Sequence, residues 1–302
     1  MDSPVSKSSK KCYLMKPMRK QTGKPNSKGR KKRDLLQSAR SPLSTRAFIE
    51  TLQSSGRYVF TKDEAREALR LSDIALKNAL WRLVKSGRIA SPHRGFYIVV
   101  PPEYKAAGSI PPSWFIRDLM AYLDRPYYVG LLSASALHGA AHQAPQELQV
   151  VTDRSLRPIE IGRVRIRFVK KARVSETPTV SIKTPTGEIR VSSPEATALD
   201  LVRYIEPAGH LSNVATVLHE LAERLDPSVL VRAAEADAEP VNAQRLGYLL
   251  DHMGHAALTA SLHEWVKGNA ARVIALRPDL PMAGSPRDRR WRVAVNEELE
   301  MR

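Results

Sequence analysis

The chain has 302 residues, 42% of them hydrophobic, which allows two packed domains and a tail. Its net charge of +17 points to a polyanionic partner, and its single cysteine, Cys12, excludes both an internal disulfide framework and a cysteine-based zinc site. No apolar run reaches the roughly 18 to 20 residues of a membrane span, and no apolar signal-like stretch lies near the start, so a cytoplasmic protein without membrane contact is expected.

The charge is unevenly spread. Residues 1–34 carry twelve Lys or Arg against two acids, residues 35–110 twelve against six, and residues 111–302 only 24 against 23. Clustered cations supply the salt-sensitive, sequence-independent part of nucleic-acid affinity. Residues 1–40 are rich in Lys, Ser and Pro without apolar periodicity, and a disordered basic tail is expected there. Its run Lys28-Gly29-Arg30-Lys31-Lys32-Arg33 suits phosphate tracking or mere solubilisation.

Residues 41–105 read as a winged helix-turn-helix. Ser44 or Thr45 caps a first helix to about Ser54, with Phe48, Ile49 and Leu52 turned inward. A short strand, Tyr58-Val59-Phe60, comes next. Thr61 and Glu64 have the spacing of a capping box and open a second helix. Ser72 caps a third, which runs to about Ser86 and stops at Gly87. Leu76, Leu80, Leu83 and Val84 recur at helical spacing and predict its buried side. Asn78, Arg82 and Lys85, with Ala75 beside them, predict the outer one. Asn pairs with adenine and Arg with guanine through two hydrogen bonds each, so this face suits a major groove. Arg88-Ile89-Ala90 and Phe96-Tyr97-Ile98-Val99 form wing strands about the turn Pro92-His93-Arg94-Gly95, which places Arg94 near phosphates or a minor groove. The candidate DNA-binding residues are therefore Ser72, Ala75, Asn78, Arg82, Lys85 and Arg94. The segment LKNALWRLVKSGRIASPHRGFYIV resembles the N-terminal winged helix of AbiEi-type antitoxins from type IV toxin–antitoxin systems.

Pro101-Pro102 and Pro111-Pro112 bracket a linker-like stretch, which places the start of a second domain, 111–302, after it. A helix is expected over 114–123 and a small-residue helix over 127–139. Strands are expected at 148–152, 164–169, 180–183 and 188–191. Helices are expected from Ser193-Pro194-Glu195 onward and at 213–224, 227–236, 241–253 and 261–269. The fold class is α+β: a winged helix-turn-helix, then a mostly antiparallel sheet with packed helices.

The segments YYVGLLSASALHG, QELQVVTDR, VSSPEATALDLVRY and RLGYLL occur in this order and are similar to the C-terminal domain of AbiEi-type antitoxins. The resemblance spans Arg46 to about Pro281. It implies a winged helix that binds the operator of its own promoter, and a C-terminal domain that neutralises a nucleotidyltransferase-like toxin and contributes to DNA binding. The basic tail departs from the family pattern.

Catalytic constellations are not evident. A nucleotidyltransferase needs paired carboxylates around two metal ions. Gln149 and Val151 stand where acids would be needed, and Asp153 stands alone. His138 and His142 lie one turn apart without a third ligand, which favours packing over metal binding. Glu195 and Asp200 read as structural, Asp200 bonding backbone or an Arg such as Arg203, and no phosphate-binding glycine pattern occurs. No catalytic residue, metal or cofactor is expected. Arg163, Arg165 and Arg167 alternate with Val164, Ile166 and Phe168, which puts three guanidiniums on one strand face, extended by Lys170, Lys171 and Arg173. Three like charges repel without a partner, so this face is a candidate second contact surface for DNA or toxin. Two other readings stay open: a free-standing winged-helix regulator with a sensing domain, and a nuclease or nucleotidyltransferase delivered to DNA.

Overall fold

The computed structural model describes residues 43–140 and 145–299. The expected tail, 1–40, lies outside the described residues, as does His142.

The first helix, α1 (Thr45–Ser54), is capped by Ser44, whose hydroxyl accepts the Ala47 N–H. After it come β1 (Val59–Thr61), α2 (Lys62–Leu69) and α3 (Asp73–Lys85), then β2 (Ile89–His93) and β3 (Phe96–Val99). The three strands pair antiparallel in the order β1-β3-β2. This is the element order expected of a winged helix. Its core is Phe48, Ile49 and Leu52 of α1, Phe60, Ala65 and Leu69, Leu76, Leu80 and Leu83 of α3, and Ile89 and Val99. The Phe48 and Phe60 rings meet edge-on at 5.2 Å, and Tyr97 stacks on Phe60.

Alternation along β3 ties the winged helix to the rest of the chain. Successive side chains of a strand point to opposite faces. Val99, with Tyr97 packed against it, belongs to the winged-helix core, whereas Phe96 and Ile98 belong to a second core with Ile110, Phe115, Ile116, Leu119 and Met120. The Pro-bracketed stretch is therefore packed rather than loose: Ile110 and Phe115 are fully buried. The described residues from Leu43 onward cluster as one compact unit.

Next come α4 (Ile116–Tyr122), β4 (Tyr127–Val129), α5 (Leu131–Leu137), β5 (Leu148–Thr152), β6 (Ile159–Ile161), β7 (Val164–Lys170), β8 (Thr179–Thr184) and β9 (Gly187–Ser192). They give a six-stranded sheet of order β6-β7-β5-β4-β9-β8. Three of its five pairings are antiparallel; β5 with β7 and β4 with β9 are parallel. The expected helix over 127–139 is thus a strand and then a helix. Tyr127, Tyr128 and Val129 are all buried because both faces of β4 are covered. Tyr127 and Val129 face the core shared with the wing, and Tyr128 faces the opposite core. The hairpin turn at Gly162 abuts Ala107-Gly108. A Cβ on Gly162 would lie 2.1 Å from the Ala107 carbonyl oxygen, so only glycine fits.

On the other sheet face pack α6 (Pro194–Arg203), α7 (His210–Leu221), α8 (Pro227–Asp237), α9 (Pro240–His252) and α10 (Ala256–Asn269), which form the largest core. Ser193 and Asp226 cap α6 and α8, each with Pro at the first helical position. A short sheet of β10 (Ile274–Ala275), β11 (Arg287–Asp288) and β12 (Val293–Ala294) closes the described chain and seats Trp291 against α9. No helix among the described residues is long and apolar enough to cross a membrane.

Candidate nucleic-acid interface

Local bonds fix the turn between α2 and α3. The Thr61 hydroxyl accepts the Glu64 N–H at 3.2 Å and the Glu64 carboxylate accepts the Thr61 N–H at 2.7 Å, a complete capping box. Arg66 joins Asp63 at 2.7 Å to Asp73 at 3.0 Å, bridging the end of α2 to the start of α3. Ser72 is exposed, and its hydroxyl accepts the Ala75 N–H at 3.3 Å as the N-cap of α3.

Asn78, Arg82 and Lys85 are exposed on α3, and Ala75 is half-buried. Among the described residues, the side chains of Asn78 and Arg82 have no hydrogen-bond or ion-pair partner. Val84, expected on the buried side, is exposed instead. The buried positions Leu76, Ala79, Leu80 and Leu83 centre the inward face so that Val84 falls about 90° off it. Trp81 and Ile74, to which the sequence assigns no outward role, point outward with it. Lys85 Nζ lies 5.0 Å from the centre of the Trp81 ring.

The wing strands pair Ala90 with Ile98 and His93 with Phe96, with a bulge between Ala90 and His93. Arg94 is exposed at the tip. Its carbonyl accepts the Tyr122 hydroxyl of α4 at 3.1 Å, and a Cβ on the adjacent Gly95 would lie 2.6 Å from the Tyr122 oxygen. The Lys62 N–H donates to the Gly95 carbonyl at 2.8 Å. The tip is thus fastened to both α2 and α4. Between α3 and the wing runs a groove of about 770 Å³, walled by Trp81, Tyr97 and Tyr122, with Lys62, Lys77 and Arg94 along it. Burial pushes the Tyr97 hydroxyl above its ordinary pKa, so it stays neutral.

Arg163, Arg165, Arg167 and Lys170 are exposed along β7. The arginines are not a bare row of like charges. Arg167 pairs with Glu147 at 3.0 Å and Arg165 approaches Glu160 at 3.8 Å. Lys171 does not extend this surface: it is 3% exposed. It shares strand parity with the three arginines and with Val169, but at this end of β7 the helices cover that face, and its ammonium meets Asp200 at 2.8 Å and Asp237 at 3.0 Å. Asp200 also accepts the Tyr128 hydroxyl at 2.7 Å, and Asp237 binds Arg203 at 3.2 Å and Asn242 at 2.8 Å. The partners of Asp200 are therefore Lys171 and Tyr128, not Arg203. Burial opposes the charge on Lys171, but the two carboxylates outweigh it and raise the ammonium pKa. Burial pushes Asp200 up against the pull of Lys171.

The residues weighed for chemistry are engaged in structure. Gln149 is buried; its side chain accepts the Leu132 N–H at 3.0 Å and donates to the Pro207 carbonyl at 2.8 Å. Asp153 lies 3.5 Å from Arg125. His138 bonds the Ser192 carbonyl at 2.7 Å. Glu195 accepts the Ser193 hydroxyl at 3.0 Å and the Asp226 N–H at 3.2 Å. Among the described residues no three His, Cys, Asp or Glu side chains are grouped to hold a metal ion.

The molecule is thus an α+β protein in which the unit of α1 to α3 and β1 to β3 packs toward one face of a six-stranded sheet and a helical set toward the other. Residues 128–252 match the family model of the AbiEi antitoxin C-terminal domain, and that span takes in β4 to α9 with the Lys171 network. This similarity supports an antitoxin of the AbiEi type acting in a toxin–antitoxin system. In fold, the chain is similar to the crystal structure of the RV2827C protein from Mycobacterium tuberculosis, with a TM-score of 0.59, 16% identity, and coverage of 82% of this chain and 89% of that one. At that identity the likeness is one of fold. No curated protein matches the chain in sequence.

Proposed function

We propose that this antitoxin is a DNA-binding regulator that represses its own operon from the cytoplasm and neutralises a nucleotidyltransferase-like toxin. In this reading α3 enters the major groove of the operator, with Asn78 and Arg82 on base edges and Lys85 and Arg94 on phosphates. Ser72 and Ala75 sit at the helix start, where a recognition helix comes nearest the bases. The supporting observation is the exposed, unpartnered side-chain pair Asn78 and Arg82, framed by a fastened wing and a segment with six excess positive charges.

The antitoxin domain, built from residues 111–302, is assigned the toxin contact, and the chain itself is read as non-catalytic. Arg163, Arg165, Arg167 and Lys170 are proposed as a second contact surface, for flanking DNA or for the toxin. Arg165 and Arg167 are half-neutralised by Glu160 and Glu147, which a polyanion or an acidic surface would have to displace.

Two assays test the reading separately. Gel-shift titration of the promoter duplex with Arg82→Ala and Asn78→Ala tests the reader: specific binding falls while non-specific binding stays. Co-expression with the toxin encoded beside this chain tests the antitoxin domain: growth is restored by the Arg82→Ala chain as well as by wild type. Unchanged operator specificity in both variants removes α3 from the reading, and failure of the wild-type chain to restore growth removes the toxin assignment.

A further inference from the structure

The outermost line of α3 is apolar as well as polar. Ile74 is 76% exposed, Trp81 60% and Val84 42%. Single exposed apolar side chains are ordinary on a protein surface. Three on one short helix, two of them on its outermost ridge, leave apolar area that an interaction would cover. The ridge is bordered by Lys77, Arg82 and Lys85, all exposed. Lys85 lies over the Trp81 ring, which fixes the ring where it projects. A second copy of the chain brought face to face here would oppose the same cations. A duplex brings phosphates to the border and base edges to the ridge.

The major groove presents one apolar group to a protein, the C5-methyl of thymine. We propose that Ile74 and Trp81 read thymine methyls, so that the operator half-site is marked by thymines as well as by the bases that Asn78 and Arg82 bond. This rests on the reading of α3 as the DNA-reading helix. The geometry also sets a spacing. Seven residues separate Ile74 from Trp81, a rise of about 10.5 Å along the helix. A duplex rises about 3.4 Å per base pair, so two contacts along the groove fall about three base pairs apart. Asn78 lies between them, which places its adenine contact inside the same short window. Val84, three residues beyond Trp81 and turned toward the wing, flanks the groove rather than the bases.

Replacing thymine by uracil removes the methyl and leaves the pairing intact, so it tests this directly. Fluorescence-anisotropy titrations use the full chain and promoter duplexes in which each thymine of the protected half-site is replaced in turn. Binding weakens about fourfold, the worth of one buried methyl, at two positions about three steps apart. Ile74→Ala removes the thymine preference at one of them and Trp81→Ala at the other. Both side chains are exposed, so the fold tolerates their loss, and Ile74→Ser serves as a second variant. If no uracil position weakens binding while Arg82→Ala still lowers specific affinity, the thymine assignment fails and the DNA-reading helix stands. If the wild-type chain binds the promoter no better than an unrelated duplex, both fail. If Trp81→Ala converts an oligomer to a monomer in sedimentation, the ridge is an interface between copies and the thymine assignment is overturned.

Discussion

Replacing Lys171 with Met should cost the fold about 3–5 kcal/mol of stability. The side chain is 2% exposed and neutralises Asp200, which is fully buried, and Asp237. Methionine fills most of the volume, so the loss is electrostatic rather than a cavity. The two carboxylates fare differently. Asp237 keeps Arg203 at 3.2 Å and Asn242 at 2.8 Å. Asp200 keeps only the Tyr128 hydroxyl at 2.7 Å and becomes a buried anion without a cation. Burial already raises its pKa, and without Lys171 it takes up a proton in the folded state well above the ordinary carboxylate range. The folded variant then binds more protons than the unfolded chain, so its stability rises as pH falls from neutral toward the unfolded carboxylate pKa. Urea titrations at pH 7 and pH 5 measure this. The variant should lose several kcal/mol at pH 7 and recover part of it at pH 5 relative to wild type. Lys171→Met combined with Asp200→Asn should recover about 1–3 kcal/mol at pH 7, because the stranded charge is gone. A loss of about 1 kcal/mol or less, the worth of a surface ion pair, would refute the claim that this network is a buried, dry staple.

Gly247→Ala places a Cβ 2.2 Å from the Trp291 ring, so it should destabilise the packing of the closing segment on α9 by about 1–3 kcal/mol, read by urea titration of Trp fluorescence. Asp226→Ala removes the cap that accepts the Ser228 and Val229 N–H groups and should destabilise α8. The bond from the Ser228 hydroxyl, with those from the two N–H groups, holds the Asp226 carboxyl below the ordinary range. That contribution is present above the unfolded pKa and lost as pH falls through the lower folded one, and in acid titration Asp226→Ala should lose less stability than wild type over that window. Deleting residues 1–33, with twelve Lys or Arg and one acid, should flatten the salt dependence of promoter binding without changing sequence preference, checked by titrations at several salt concentrations.

Local signals made most of the helices and strands of residues 43–100 legible. Ser44, Thr61 with Glu64, and Ser72 each cap the helix expected of them, because a side-chain oxygen at a helix start satisfies an N–H that has no other partner. The hairpin at 179–192 was legible in both strands, the one at 159–170 in only one. Their longer, alternating strands stood out, whereas β4 and β6 have three residues each, too few for a period of two to register. Tyr127 to Val129 run straight into α5, and without knowledge that both faces of β4 are covered their uniform burial reads equally as the inner side of a helix.

The misread positions share a cause. Lys171 continues a basic run, yet it sits just past the end of β7, where the helices cover the face that the arginines leave exposed. A charge is stable there only because Asp200 and Asp237 arrive from α6 and α8, 29 and 66 residues later. No local pattern announces such a meeting. Val84 was misjudged by hydrophobicity, and Trp81 was left unplaced, because hydrophobicity says that a side chain gains from burial but not by what it is buried. In the folded chain alone, Leu76, Ala79, Leu80 and Leu83 already fill the space beneath α3. The apolar side chains left over on its outer face are therefore surplus to the core. Surplus apolar groups beside exposed cations on a helix framed by a wing carry more information about a partner than about the fold, and it is there that the operator's thymines are expected to sit.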